Sequence, residues 1–102
     1  MPKKKARNNP TPDELRERFF VLYVVVTGKE PSEDRVRSSP YGMNTWIAEQ
    51  LSVTTDSVNN WLNKGIGPSQ QVVRALELLE ENVRLRYGRP RMEAAAALYA
   101  AA

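Results

Sequence analysis

The sequence predicts an all-α fold, a compact helical bundle of four to five helices containing a helix-turn-helix. Three observations predict it. Apolar residues recur at helical spacing through 15–26, 47–51, 58–62 and 72–87. Hydroxyl residues suited to capping stand before three of these stretches, at Thr11, Thr54 and Ser69. Glycine and proline punctuate the intervals, at Gly28, at Gly65 to Pro68 and at Gly88 to Pro90. The 102 residues suffice for one domain with one modest core. The chain divides into a disordered basic arm (1–10), a helix-turn-helix domain with a C-terminal helix (11–88) and a flexible Arg/Ala-rich tail (89–102).

The arm, MPKKKARNNP, is polar, charged and bounded by proline, so it is expected to be disordered. Thr11 then caps a helix, with Pro12 at the first helical position and Asp13 and Glu14 in the first turn. The hydroxyl accepts a free N–H, proline has none to lose, and the acids face the positive end of the dipole. Thr11 and Glu14 have capping-box spacing. Leu15, Phe19, Leu22 and Val26 continue at helical spacing to a stop at Gly28. The run FFVLYVVV (19–26) is aromatic and β-branched and reads by propensity as a strand. The start signal and the spacing favour a helix, apolar on enough sides to be central to the core.

Residues 28–43 hold two prolines, two glycines and three serines, and read as a long loop with one short helical turn around Ser32 to Arg37. Asn44 or Thr45 is expected to cap the next helix. Ile47, Ala48 and Leu51 fall on one side of it, and Ser52-Val53-Thr54 makes a tight connection. Val58, Trp61 and Leu62 fall on the inner side of the following helix, whose outward positions are Thr55, Asp56, Ser57, Asn59, Asn60 and Asn63. Two short helices joined this closely can pack together and leave the second free to enter a DNA major groove. Trp61 has core spacing; Trp46 either covers the core edge or stays exposed.

Ser69 caps a long helix from Gln70 to about Tyr87, closed by Gly88 and Pro90. Val72, Leu76, Leu79 and Val83 form its apolar stripe, a candidate dimer interface whose alternative use is packing on the first helix. The tail RPRMEAAAALYAAA has high helix propensity but little to bury, and is expected to be frayed or weakly helical.

Composition bounds the function. Hydrophobic residues make up 41% and charged residues 26%, as in globular proteins. With no cysteine and no histidine, disulfides, thiolate metal sites and the commonest general base are excluded. No Gly-rich phosphate loop or paired-carboxylate motif stands out, so the chain is read as a non-enzyme with no metal site and no cofactor. No ligand pocket is legible either. The longest apolar run, Phe19 to Val26, has eight residues, too few to cross a bilayer, and no apolar segment follows the basic start. A bacterial or phage-infected cytoplasm is the expected location.

The net charge of +3 and pI near 9.4 favour an anionic partner. Lys3, Lys4, Lys5 and Arg7 form one basic cluster, and Arg84, Arg86, Arg89 and Arg91 another. The second cluster suits either DNA phosphates or a helix C-terminus. Between 44 and 64, two acids (Glu49 and Asp56) stand against one base (Lys64), a local net of −1. Phosphate attraction must then come from the flanks and from backbone N–H groups.

Residues 44–80 resemble the helix-turn-helix of lambda-repressor-like DNA-binding regulators of phages and bacteria. The resemblance rests on Ile47, Ala48 and Leu51, the turn at Ser52-Val53, then Val58 and Trp61, and the phrase WLNKGIGPSQQVVRALELL that follows. The family prefers glycine where this chain has Ser52, so a left-handed Ser52 is required. The resemblance implies base contacts from Thr55, Asp56 and Asn60. Asn or Gln suits adenine, and Asp accepts from cytosine. It implies backbone contacts from Asn44, Ser57, Asn59, Asn63 and Lys64, with Lys3, Lys4 and Lys5 adding salt-sensitive affinity. The implied partners are double-stranded DNA carrying a palindromic operator and a second copy of the chain, bound as a small dimeric repressor. A DNA-packaging adaptor like a phage terminase small subunit and a pure protein-interaction module are the alternatives.

Overall fold

A computed structural model describes residues 10–28 and 42–101. The arm with Lys3, Lys4 and Lys5, and the helical turn expected around Ser32 to Arg37, lie outside the described residues. Among the described residues there are five helices and no strand: α1 Pro12–Thr27, α2 Met43–Leu51, α3 Thr55–Asn63, α4 Gln70–Tyr87 and α5 Arg89–Ala101. The fold is all-α, as expected.

The start of α1 follows from four residues. The Glu14 N–H donates to the Thr11 hydroxyl at 3.1 Å, and the Thr11 N–H donates back to the Glu14 carboxylate at 2.9 Å. At the other end a left-handed Gly28 donates its N–H to the Val24 carbonyl. Between these caps the aromatic, β-branched run is helical. Its strand propensity is overruled because α1 touches each of the other four helices, so Leu15, Phe19, Phe20, Val21, Leu22, Tyr23 and Val25 are all buried. Packing on every side stabilises this helix more than propensity opposes it.

The start of α2 differs from expectation. Neither Asn44 nor Thr45 caps it; the helix begins at Met43, behind Gly42 at φ 88°, and no side chain caps it. A Cβ at position 42 would be strained at that φ and would sit 3.5 Å from the Tyr23 hydroxyl. The α2–α3 joint matches expectation. Ser52 is left-handed (φ 59°, ψ 43°), and its N–H and that of Val53 satisfy the carbonyls of Glu49 and Ala48. The Thr54 hydroxyl accepts the Ser57 N–H, starting α3, and the Ser69 hydroxyl accepts the Val72 N–H, starting α4.

Two corrections concern the C-terminal half. The apolar stripe of α4 is part of the protomer's own core: Leu76 and Val83 are buried, and Val72 and Leu79 pack half-buried against the same cluster. The stripe of Val72, Leu76, Leu79 and Val83, read from the sequence as a candidate dimer interface, packs within the protomer, the use expected as the alternative. The stretch expected to be a frayed, flexible tail is α5. Pro90 does not merely end α4; it occupies the first turn of α5, where a missing N–H costs nothing. The alanines give α5 a slim face that lies antiparallel along α1. Ala95 is buried, Tyr99 meets Phe20 with ring centroids 5.2 Å apart, and Arg91, Ala94 and Ala95 share a cleft with Val24 and Gly28.

One ion pair ties α1 to α4. The Arg18 guanidinium donates from Nε and Nη2 to the two Glu80 oxygens, at 2.7 and 2.6 Å. This hydrogen bonding, opposed by partial burial, raises the Arg18 pKa above the ordinary arginine value. Among the described residues, no helix is long and apolar enough to cross a membrane.

Candidate nucleic-acid interface

The site begins with the placement of α3. Val58, Trp61 and Leu62 stand at i, i+3 and i+4, so they share one face of the helix, and all three are buried. Trp61 is thus the expected core residue. The helix packs on α1 and α2 and approaches neither α4 nor α5, so its opposite side faces away from the bundle.

Sequence reasoning did not find what holds its far end. Arg16, in the second turn of α1, donates from Nη2 to the Leu62 carbonyl at 3.1 Å, across 46 residues of sequence. A cation at the C-terminal carbonyls of a helix meets the negative end of the dipole. Arg16 also contacts Asp13 at 3.4 Å, and its Nε is buried without a hydrogen-bond partner among the described residues. Its position beside Leu15, on the inward-facing turn of α1, was the signal available; its partner was not.

The expected DNA-contacting residues fall into two groups. Asp56, Asn63 and Lys64 are exposed, and Thr55 and Asn60 are half-buried. None of these five side chains makes a hydrogen bond or ion pair among the described residues. Their polar atoms are uncommitted and are carried on a single helix and its C-cap.

The second group is committed to the fold. Asn44 donates from Nδ2 to the Asn59 Oδ1 at 2.9 Å, joining the first turn of α2 to the middle of α3. The Asn44 Oδ1 is buried without a hydrogen-bond partner among the described residues. Such an acceptor costs about 1–3 kcal/mol when unpaired. The Ser57 hydroxyl lies 3.1 Å from that of Thr54, inside the capping turn. Of the residues expected to touch the DNA backbone, Asn44 and Asn59 tie α2 to α3, and Ser57 belongs to the capping turn of α3. Their physical role in the described structure is positional.

The second basic cluster lies away from α3. Arg84 pairs with Glu81 at 3.5 Å. Arg91 lines a cleft with Gly28, and Arg86 lines a groove with Val26, so both stand by the C-terminal end of α1, which has no basic residue in its own last turn.

What fold and site define is an all-α bundle presenting one short helix with a polar, uncommitted outer face. No protein-family model, curated protein or solved structure matches the chain.

Proposed function

We propose that the chain is a sequence-specific DNA-binding transcriptional regulator that lays α3 in the major groove. The observation that carries this reading is the outer face of α3. Thr55, Asp56, Asn60, Asn63 and Lys64 keep their polar atoms free of partners among the described residues, while Val58, Trp61 and Leu62 anchor the helix from behind. Asn60 can pair with both N6 and N7 of adenine, Asp56 can accept from N4 of cytosine, and Thr55 can meet either a base edge or a thymine methyl. Asn63 and Lys64 are suited to phosphates, as are Lys3, Lys4 and Lys5 of the arm. The ties from Arg16 to Leu62 and from Asn44 to Asn59 keep the reading helix in register with the rest of the bundle.

One such helix buries little DNA, so two copies on a palindrome, with half-sites roughly 34–36 Å apart, would supply affinity and a repressor's occupancy of its operator. The surface for self-association is then the outward side of α4, where Leu78 and Leu85 are 55% and 70% exposed and lie seven residues apart on one face. The bacterial or phage-infected cytoplasm is the compartment where such a regulator works. The same two leucines favour a second reading, a protein-interaction module that does not bind DNA.

Selection of bound duplexes from a random pool at near-physiological salt separates these. An enriched palindrome with fixed half-site spacing supports the dimeric regulator. Binding without enrichment moves the reading to a nonspecific role such as packaging, and no binding leaves the interaction module. On the enriched site, Asn60→Ala is expected to lower discrimination at one base pair by about 1–3 kcal/mol. Replacing Lys3, Lys4 and Lys5 with alanine should weaken all sequences alike and flatten the salt dependence.

A further inference from the structure

The sequence shows no ligand pocket, yet three helices enclose a groove of about 480 Å³ between the C-terminal end of α1, α2 and the second half of α4. That volume lies in the range of small-molecule sites. Its lining is a mixture that such sites use. Val26 and Leu79 supply an aliphatic floor, and Trp46 and Tyr87 supply aromatic surface. Trp46 is only half-buried, at the edge of the core, and is held in place edge-on by the Tyr23 ring at 5.8 Å. A second aromatic ring is the natural partner for the remaining indole surface.

The polar side of the groove is selective in charge. Arg86 is its single charged group among the described residues. Unlike Arg84 or Arg18, Arg86 makes no ion pair within the described chain, and it is exposed. A planar guanidinium with free donors matches a carboxylate. The Asn82 and Gln50 amides beside it offer both donors and acceptors and exclude neither oxygen of that group. We propose that this groove binds a small aromatic carboxylate, with its ring system against Trp46 and Tyr87 and its carboxylate on Arg86. This inference is independent of what α3 binds, because the groove and the outer face of α3 share no residue.

The test is a titration of the full-length, ¹⁵N-labelled chain with 2-naphthoate, a two-ring aromatic carboxylate, followed by the indole N–H signals of its two tryptophans. Trp46→Phe assigns them. The expected result is a saturable shift of the Trp46 signal with the Trp61 signal unmoved. Arg86→Gln, a change at an exposed position, should weaken 2-naphthoate about threefold to fivefold. The uncharged analogue 2-naphthalenemethanol should bind the parent chain and Arg86→Gln equally. No saturable shift of Trp46, equal shifts of both indoles, or an Arg86→Gln affinity matching the parent would overturn the proposal. A Trp46 signal that moves with protein concentration alone would also overturn it, by assigning the groove to a second copy of the chain.

Discussion

The α2–α3 pair and the α4–α5 pair are built on the same plan, a short joint between two helices, and they solve the burial problem in opposite ways. At the first joint, three apolar residues are the buried residues of α3, and the rest of the helix is left polar. At the second joint, α5 has one buried residue, Ala95, and docks through small side chains and the Phe20–Tyr99 ring pair. A helix held by a few large side chains keeps a face free for other work. A helix held by many small ones gains from closeness along its length, and its contribution is structural. The difference explains why α3 is the candidate interface and α5 completes the core beside α1.

Substitutions that attack each mode sharpen this contrast. The largest effect is expected from Trp61→Ala, which removes most of the anchor of α3 and should destabilise the chain by about 3–5 kcal/mol in urea unfolding. A loss under about 1 kcal/mol would mean that α3 is not held from behind as described. At the other joint, Ala95→Leu should cost about 1–3 kcal/mol by forcing α5 away from α1. If α5 were a loosely attached tail, the unfolding midpoint of that variant would equal the parent's.

The α1–α4 tie ranks next. Glu80→Ala leaves Arg18 half-buried without its bidentate partner and is expected to cost about 1–2 kcal/mol. Because Glu80 raises the Arg18 pKa, the arginine side of this contribution is fully present below the ordinary arginine pKa. It is lost only as pH rises through the raised value. The parent-minus-variant difference is therefore expected to be unchanged between pH 7 and 9. The smallest effect is a gain. Ser52→Gly relieves a left-handed serine and should stabilise by about 0.5–1 kcal/mol, after the entropy that glycine loses on folding is deducted. A destabilised Ser52→Gly would show that the serine side chain, and not the backbone conformation, is what the joint requires.

Among the described residues, features set by short-range chemistry were legible before the fold was known. Thr11 with Glu14, Thr54 with Ser57 and Ser69 with Val72 are contacts three residues apart, and each helix they start was read at its observed first residue. The inner face of α3 was legible too, because 58, 61 and 62 must share a side of any helix. Asn44 shows where such reading stops. Its type and place suggest a cap or a phosphate ligand, and both suggestions are local. Its observed partner, Asn59, is fifteen residues away on another helix.

By itself, the sequence determined that the described chain is helical, where α1, α3 and α4 begin, and which residues of α3 face in. These depend on caps, spacing and breakers acting within one or two turns. Only the tertiary structure decided that α5 docks on α1, that the α4 stripe turns inward, and that Arg16 anchors α3 across 46 residues. It also decided that Trp46 and Arg86 line one groove. Each of these pairs groups far apart in the chain, and whether they meet depends on how five helices pack at once, which no local pattern encodes.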